Sequence, residues 1–381
     1  MADPIKKGKR ADGTTFYWFR TDVGRDAEGN RKQHYGSFDK QRDAKAEYAK
    51  LRHDVDRGAY IRPSDLTVAE YIETWARNKC RDRSAATKRS YHDAARPVRV
   101  VLGARKLQSI TPRDVERVIE WMETVGRKQG GKPGTPLGPR SIQLTISHLR
   151  SALADAVDEG LIPRNPAAKI RTPAVPKIKR APWTAEEVKT FLRAIKDDRL
   201  YAIMRLSLTA LRPEEVCGLK WSAVDLEAKT LTIDWVRTLV AGQVDEKEPK
   251  TRAGERTLPV DDVTVDALEA LLKWQAEEKA EAGDAYEESG YVLVDELGRP
   301  VKTDWLRRRY KKLVELAGVR TVRLYDARHA CLTYLANNGV PDVVVSAWAG
   351  HSDPAFTKRT YVWPNPDDLA AARDALSKLL D

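Results

Sequence analysis

The sequence from residue 208 to residue 221 reads Leu208-Thr-Ala-Leu-Arg212-Pro-Glu-Glu215-Val-Cys-Gly-Leu-Lys-Trp221. Proline directly after Arg212 is typical of the first position of a helix, where its missing N–H costs no hydrogen bond. The pattern predicts a short helix over residues 213–220, with Arg212 at its entrance and Glu215 in its first turn. From these residues alone two interpretations stay open. Arg212 and Glu215 form a surface ion pair, or the arginine is held in place to bind an anion.

Three more motifs with ionisable side chains follow this helix. They are Glu248-Pro-Lys250-Thr251, Leu324-Tyr325-Asp-Ala-Arg328-His329, and Ala347-Trp348-Ala349-Gly350-His351, which Tyr361 follows ten positions later. Transfer of a phosphodiester without a metal needs a nucleophile, positive charge and hydrogen-bond donors for the non-bridging oxygens, and an acid for the leaving oxygen. Arginine suits the charge requirement because its planar, permanently charged fork matches phosphate oxygens. The motifs supply candidates for every task.

The order and spacing of these motifs resemble those of the tyrosine recombinase (phage integrase) family, over residues 208–361. The resemblance implies that Tyr361 attacks phosphorus and forms a 3′-phosphotyrosyl bond, and that Arg212 and Arg328 clamp the scissile phosphate. It also implies that Lys250, on a β-hairpin, protonates the leaving 5′ oxygen, and that His351 hydrogen-bonds a non-bridging oxygen. As in type IB topoisomerases, this chemistry needs no metal and no cofactor.

The surroundings of Arg328 depart from the family pattern at one position. Tyr325 stands three residues before Arg328, where the family usually has histidine. A phenol with a pKa near ~10 is a poor base at neutral pH, although it still donates a hydrogen bond to a phosphate oxygen. We expect an active enzyme with Tyr325 as such a donor, which leaves the base for Tyr361 unassigned. Glu215 is expected to orient Arg212, and His329 is either a core histidine or a second donor to the phosphate.

The chain is predicted to be multidomain. Residues 1–60 are expected to form a small α+β domain, a short antiparallel sheet plus a helix, that resembles the arm-type DNA-binding domain of integrases. Residues 67–172 are expected to form an all-α core-binding bundle, and residues 180–381 an α+β catalytic domain with a tail helix over 366–380.

The small N-terminal domain is predicted from β-rich segments at 15–20 and 31–38, which turn residues at 26–30 separate. A helix is expected from Asp39, as its N-cap, to Arg57. The aromatic residues Tyr17, Trp18 and Phe19 are assigned to the domain core rather than to base stacking, with alternate side chains of the strand facing DNA. The candidates for DNA contact on the strand pair are Arg20, Arg31, Lys32 and His34.

The middle and C-terminal domains are predicted from helix signals and prolines. Capping boxes open helices at Thr67 and Thr184, and a cap at Thr111 is followed by proline and by an acid in the first turn. Residues 142–156 carry apolar side chains at helical spacing up to Gly160. Prolines at 173, 176 and 182 mark a basic linker, whose candidates for DNA contact are Lys177, Lys179 and Arg180. In the last domain, helices are expected near 184–197, 199–210 and 261–279, and strands near 229–236, 255–260 and 291–294.

The composition favours a polyanionic partner. The net charge is +11, of which residues 67–172 carry +9, whereas residues 173–381 carry −2. A merely solubilising surface is the alternative interpretation. Cys80, Cys217 and Cys331 are scattered and favour reduced thiols over disulfides or a zinc site. No apolar run approaches the ~20 residues of a membrane helix, and none follows the basic N-terminus, so we expect a cytoplasmic protein of a bacterial host.

We therefore expect a site-specific recombinase that integrates a phage or mobile element. By the resemblance, four protomers would synapse two duplex attachment sites through a Holliday junction, assisted by an excisionase and a DNA-bending host protein. Three alternatives stay open. They are a chromosome-dimer resolvase, which would resemble only the last two domains, a monomeric type IB topoisomerase, and a DNA-binding regulator with an inactive recombinase fold.

Overall fold

The computed structural model describes residues 3–25, 30–57, 60–128, 130–176, 181–353 and 355 of the 381-residue chain. It divides into two compact units, Met1–Lys177 and Ile178–Asp381, each of which is described by itself. No helix within the described ranges is long and apolar enough to cross a membrane.

The first unit begins with a three-stranded antiparallel sheet in the order β1 (Lys6–Lys9), β2 (Thr15–Arg25), β3 (Arg31–Phe38), followed by helix α1 (Gln41–Asp56). Phe19 is fully buried between the sheet and α1, where its ring meets Tyr48 edge to face at 5.3 Å. The prediction that Asp39 caps the helix is wrong. Lys40 occupies the N-cap position, and Asp39 instead pairs with Arg10 at 2.7 Å. Strand β1 was not predicted.

Successive side chains of β2 point to opposite faces of the sheet, so the three aromatic residues of this strand separate. Phe19 faces α1 as predicted, whereas Trp18 lies on the other face, beside Tyr35 with ring centroids 5.8 Å apart. Assigning Trp18 to the core is therefore wrong. The face opposite α1 also carries Arg20, which stands directly across from Tyr35 in the strand register.

The rest of the first unit is helical, with α2 (Val68–Lys79), α3 (Ala85–Leu102), α4 (Pro112–Thr124) and α5 (Pro139–Asp158). The predicted capping box at Thr67 is present, and the predicted cap at Thr111 is present as a capping box with Asp114. The predicted apolar stripe of α5 lies in the core with Ile146 and Leu153 fully buried, and Gly160, just beyond the helix, has a φ of +68°.

The second unit mixes helices with two small antiparallel sheets. Its helices are α6 (Ala185–Ala194), α7 (Tyr201–Leu208), α8 (Pro213–Gly218), α9 (Asp262–Ala282), α10 (Thr303–Ala317), α11 (Leu324–Asn337) and α12 (Asp342–Ala349). Its strands are β4 (Val224–Asp225), β5 (Thr230–Ile233), β6 (Val236–Val240), β7 (Gln243–Lys247) and β8 (Arg256–Pro259), arranged as β4-β5-β8 and β6-β7. The capping box at Thr184 is present as predicted.

Two strand predictions in this unit need correction. The strand expected near 229–236 is the shorter β5. Strand β6, which begins only at Val236, was not predicted, and it pairs with the equally unpredicted β7 through a turn at Ala241 and Gly242, both with positive φ. The strand expected near 291–294 is wrong. That segment makes only isolated bridges, from Tyr291 to Lys220 and from Val294 to Pro300. A short buried apolar run cannot be distinguished from a strand by its periodicity.

Candidate active site

The site begins at the entrance of α8, where one carboxylate organises Arg212. Glu215 accepts the backbone N–H of Arg212 at 2.8 Å and the Nη1 of the same residue at 2.5 Å. Glu215 is almost completely buried, whereas 22% of the Arg212 side chain stays exposed. Burial acts to raise the pKa of Glu215, but hydrogen bonds and positive charge from Arg256 and Arg212 hold it below its usual value. Glu215 is thus a carboxylate that both starts the helix and fixes Arg212.

Arg328 enters the site from α11 and is fully buried. Its Nη1 donates to the carbonyl of Ala210, its Nη2 donates to the carbonyl of Ala349, and Nη1 lies 4.0 Å from Glu215. Burial, helped by the nearby charge of Arg212, lowers its pKa below the usual value, although arginine remains charged at neutral pH. Arg328 therefore supplies fixed positive charge at the point where α11 meets the end of α12.

His351 follows α12 after Gly350, which takes a left-handed backbone with a φ of +64°. Its Nε2 lies 3.3 Å from Nη2 of Arg328, and the carbonyl of Gly350 accepts Nη2 of Arg212 at 3.2 Å. Burial and then the charges of the surrounding arginines lower the pKa of His351 to about 4. The imidazole is neutral at pH 7. Because arginine only donates, a hydrogen bond from Arg328 makes Nε2 the acceptor and puts the ring proton on Nδ1.

Tyr325 and His329 occupy the first turns of α11. The Tyr325 side chain is 38% exposed, lies within electrostatic range of both Arg212 and Arg328, and meets the ring of His329 edge to face at 5.3 Å. His329 is half-buried, and burial lowers its pKa. The structure places the unusual tyrosine beside the arginine pair and leaves both interpretations of His329 open.

Lys250 is exposed and lies in the segment between β7 and β8. It therefore stands just beyond the β6-β7 hairpin rather than on one of its strands. The same segment approaches the histidine turn, because a Cβ added to Gly350 would come within 2.8 Å of the carbonyl of Ala253. The Lys250 segment thus packs against the residue that precedes His351.

Arg256, the first residue of β8, was not predicted as a site residue. Its Nη2 and Nη1 contact the two carboxylate oxygens of Glu215 at 3.0 and 3.2 Å, and its side chain is only 7% exposed. The available signal in the sequence was an arginine at the start of the strand expected near 255–260, which follows the Lys250 motif. Nothing in the local pattern distinguished it from an exposed charge on a strand.

Comparisons with known proteins identify the family of this chain. The description "Phage integrase family" matches residues 183–367, and "Phage integrase SAM-like domain" matches residues 67–172. A "Tyrosine recombinase XerC-like" of Caldanaerobacter subterraneus is 29% identical over 97% of this chain and 97% of its own length. An "Integrase" of Streptomyces ambofaciens is 27% identical over 93% of each chain. This chain belongs to the tyrosine recombinase (phage integrase) family.

The fold is likewise that of solved integrases. The Tn1549 transposon integrase, solved with transposon right end DNA, superposes with a TM-score of 0.66 at 20% identity, over 82% of this chain and all of that one. By its family, the protein is a tyrosine recombinase, an enzyme that cleaves and rejoins DNA.

The remaining predicted residues of the recombinase fall into two groups, those outside the described residues and those in the N-terminal sheet. Tyr361, the linker residues Lys177, Lys179 and Arg180, and the tail helix over 366–380 lie outside the described residues. In the N-terminal sheet, Arg31 alternates onto the same face as Tyr35 and pairs with Asp22 at 2.5 Å. Lys32 and His34 alternate onto the α1 face, where His34 stacks on Phe19. Among the described residues, no group of three or more His, Cys, Asp or Glu side chains could hold a metal ion.

Proposed function

We propose that this recombinase inserts a mobile element into a chromosome by forming a covalent 3′-phosphotyrosyl bond through Tyr361. The observation that carries the proposal is an excess of fixed positive charge. Arg212, Arg256 and Arg328 surround a single buried carboxylate, Glu215. Three cations with one anion leave a net charge that suits a phosphodiester, and preorganised charge of this kind stabilises a pentavalent phosphorane.

Within this cluster we assign direct phosphate contact first to Arg212, because part of its side chain remains exposed while Glu215 fixes its position. Arg328 contributes charge and holds His351 from behind through the 3.3 Å contact. His351, neutral at pH 7 because its pKa is lowered to about 4, donates a hydrogen bond to a non-bridging oxygen. It is not the acid that protonates the leaving oxygen, since it carries no extra proton.

We assign that acid to Lys250. Its exposed ammonium sits on a segment packed against the Gly350 turn, which lets it reach a leaving 5′ oxygen on the DNA side of the cluster. Tyr325, exposed beside the arginine pair, is assigned to a non-bridging oxygen as a hydrogen-bond donor. Tyr361 releases its phenol proton to solvent and attacks phosphorus through its oxygen, the bond from phosphorus to the 5′ oxygen breaks, and the lysine proton goes to that oxygen.

We assign the N-terminal domain, residues 1–60, to arm-type DNA sites. The sheet face opposite α1 carries Trp18, Arg20 and Arg31, together with Tyr35, which is 52% exposed, and the ammonium of Lys6 lies 5.2 Å from the Trp18 ring. A face of this composition suits the major groove, where side chains on alternate residues reach base edges and phosphates. Lys32 and His34 are not part of this face. Residues 67–172 would then hold core sites together with the catalytic domain, residues 180–381.

The assembly that follows from the family resemblance is a tetramer that synapses two duplexes and passes through a Holliday junction. Excision would need a separate excisionase, and a DNA-bending host protein would shape the attachment site. We place the reaction in the cytoplasm of a bacterial host.

A nicked suicide duplex that carries the attachment site of the element tests the proposed function. We expect the wild type to form an adduct that survives a denaturing gel, and Tyr361→Phe to bind the duplex normally without forming one, because phenylalanine has no oxygen to attack with. An adduct from Tyr361→Phe would refute the nucleophile. No adduct from the wild type would favour an inactive DNA-binding protein, and relaxation of supercoiled DNA without synapsis would favour a topoisomerase.

A further inference from the structure

Arg256 makes contacts with three separate parts of the catalytic unit. Its two Nη groups bind the Glu215 carboxylate on α8, as described above. Its Nε donates to the carbonyl of Trp348 on α12 at 2.8 Å, and Nη1 also donates to the carbonyl of Gly254 at 3.0 Å. One guanidinium thus satisfies four acceptor atoms on three residues, Glu215, Gly254 and Trp348.

Each of these parts presents one assigned group of the active site. Glu215 holds Arg212, α12 ends at the turn before His351, and Gly254 belongs to the segment that carries Lys250. The distances between these three groups are therefore set through the Arg256 side chain, although Arg256 itself is buried behind them.

The packing around Gly350 leaves little freedom in this arrangement. A Cβ at position 350 would lie 3.0 Å from Nη1 of Arg256 and 2.8 Å from the carbonyl of Ala253. The turn before His351 consequently rests on the Arg256 guanidinium and on the Lys250 segment together. A shift of the guanidinium moves both neighbours.

We propose that Arg256 is a positioning residue, which sets the relative placement of Arg212, His351 and Lys250 without touching the DNA. The inference rests on the proposed function of those three groups. The planar fork is required because four acceptors lie around it, and a lysine ammonium cannot reach them in one geometry. A displacement of about 1 Å at a reacting group costs on the order of 100-fold in rate.

The test compares Arg256→Gln and Arg256→Lys with a matched control, Arg237→Gln. Arg237 is also buried in this unit and also binds one carboxylate, Glu246 at 2.6 Å, and one carbonyl, that of Val301. Neither Glu246 nor Val301 is an assigned site residue. Single-turnover cleavage is measured on the nicked duplex, with DNA affinity and thermal unfolding measured for every variant.

We expect Arg256→Gln to cleave about 100-fold more slowly at near-normal affinity, and Arg256→Lys to recover part of that rate. A second duplex carries a neutral methylphosphonate at the scissile position, where a displaced Arg212 has less charge to neutralise. On this duplex, the factor by which Arg256→Gln cleaves more slowly than wild type should be about tenfold smaller than on the ordinary duplex. Any loss of cleavage rate in Arg237→Gln should be equal on both duplexes, because it would result only from lower stability of the folded protein.

The outcomes separate this inference from the function on which it rests. If the wild type forms an adduct and Tyr361→Phe does not, the function stands, and wild-type cleavage by Arg256→Gln would overturn only the positioning role. An Arg256→Gln deficit of equal size on both duplexes, accompanied by lower thermal stability as in Arg237→Gln, would also overturn it. Absence of an adduct from the wild type would refute the function itself.

Discussion

Replacing Glu215 by glutamine should weaken the contacts that hold the arginine cluster in place and should lower the stability of the catalytic unit. The carboxylate accepts four hydrogen bonds, two from Arg212 and two from Arg256, and lies 4.0 Å from Arg328. Breaking a buried ion pair by removing one partner costs about 3–5 kcal/mol. We expect about 3 kcal/mol for Glu215→Gln, because the amide oxygen can still accept part of these bonds. In a unit of this size that corresponds to a lower Tm by roughly 6–12 °C.

The pH dependence of this loss follows from the lowered pKa of Glu215. A carboxyl whose folded pKa lies below its unfolded value contributes stability that is fully present above the unfolded value, 4.5, and is lost as the pH falls towards the folded one. Glutamine does not titrate. The difference in unfolding free energy between wild type and Glu215→Gln should therefore be constant from pH 7 to pH 5. Below the unfolded pKa, this difference in unfolding free energy should decrease by about 1.4 kcal/mol per pH unit until the pH reaches the folded pKa of Glu215.

Urea unfolding of both proteins at pH 7, 5 and 3.5 measures this difference. Glu246→Gln is the matched control, because Glu246 pairs with the buried Arg237 but keeps 36% of its own side chain exposed. Its loss should be about 1 kcal/mol or less, since solvent screens such a pair. A Glu215→Gln difference as small as that of the control, or one that does not narrow at pH 3.5, would refute the view that this carboxylate holds the cluster together.

Three further outcomes are expected. Tyr325→His should keep or improve single-turnover cleavage, whereas Tyr325→Ala should lose on the order of 100-fold through the missing donor, and an unimpaired alanine variant would contradict the assignment. Lys250→Ala should cleave an ordinary duplex about 100-fold or more slowly than wild type, yet cleave a duplex with a 5′-bridging sulfur almost normally, because a thiolate leaves without a proton. An equal loss of cleavage rate on both duplexes would argue against Lys250 as the acid. Removing residues 1–60 should leave cleavage of core sites intact, abolish integration into a full attachment site and flatten the salt dependence of binding. If footprinting of the intact protein shows protection of the core region alone, the protein does not bind arm and core sites together and the assignment of residues 1–60 is wrong.

The parts of the fold that local chemistry determines were predictable from the sequence. The helix caps at Thr67, Thr111 and Thr184 stand where the side-chain pattern placed them. Strands β1 and β7 were missed because both are largely polar and exposed, so neither shows the alternation that marks a half-buried strand. Their pairing is decided by neighbours and turns rather than by their own residues.

The site divides in the same way. Arg212, Arg328 and His351 could be named in advance because their motifs follow a family pattern, and the structure brings these three together. Arg256 could not, because its burial results from Glu215 and Trp348, which precede and follow it by 41 and 92 residues. A contact made only by tertiary structure leaves no trace in a local window of sequence.

The start of α8 has a consequence for how this enzyme can change. The carboxylate that receives the first backbone N–H of the helix is the same one that orients Arg212. A substitution at position 215 therefore changes two properties under selection, the amount of folded, soluble protein and the rate of turnover. Directed evolution towards altered phosphate chemistry should succeed sooner from a parent protein that substitutions elsewhere in the unit have already stabilised. Such a parent can tolerate the weakened helix start while new activity accumulates.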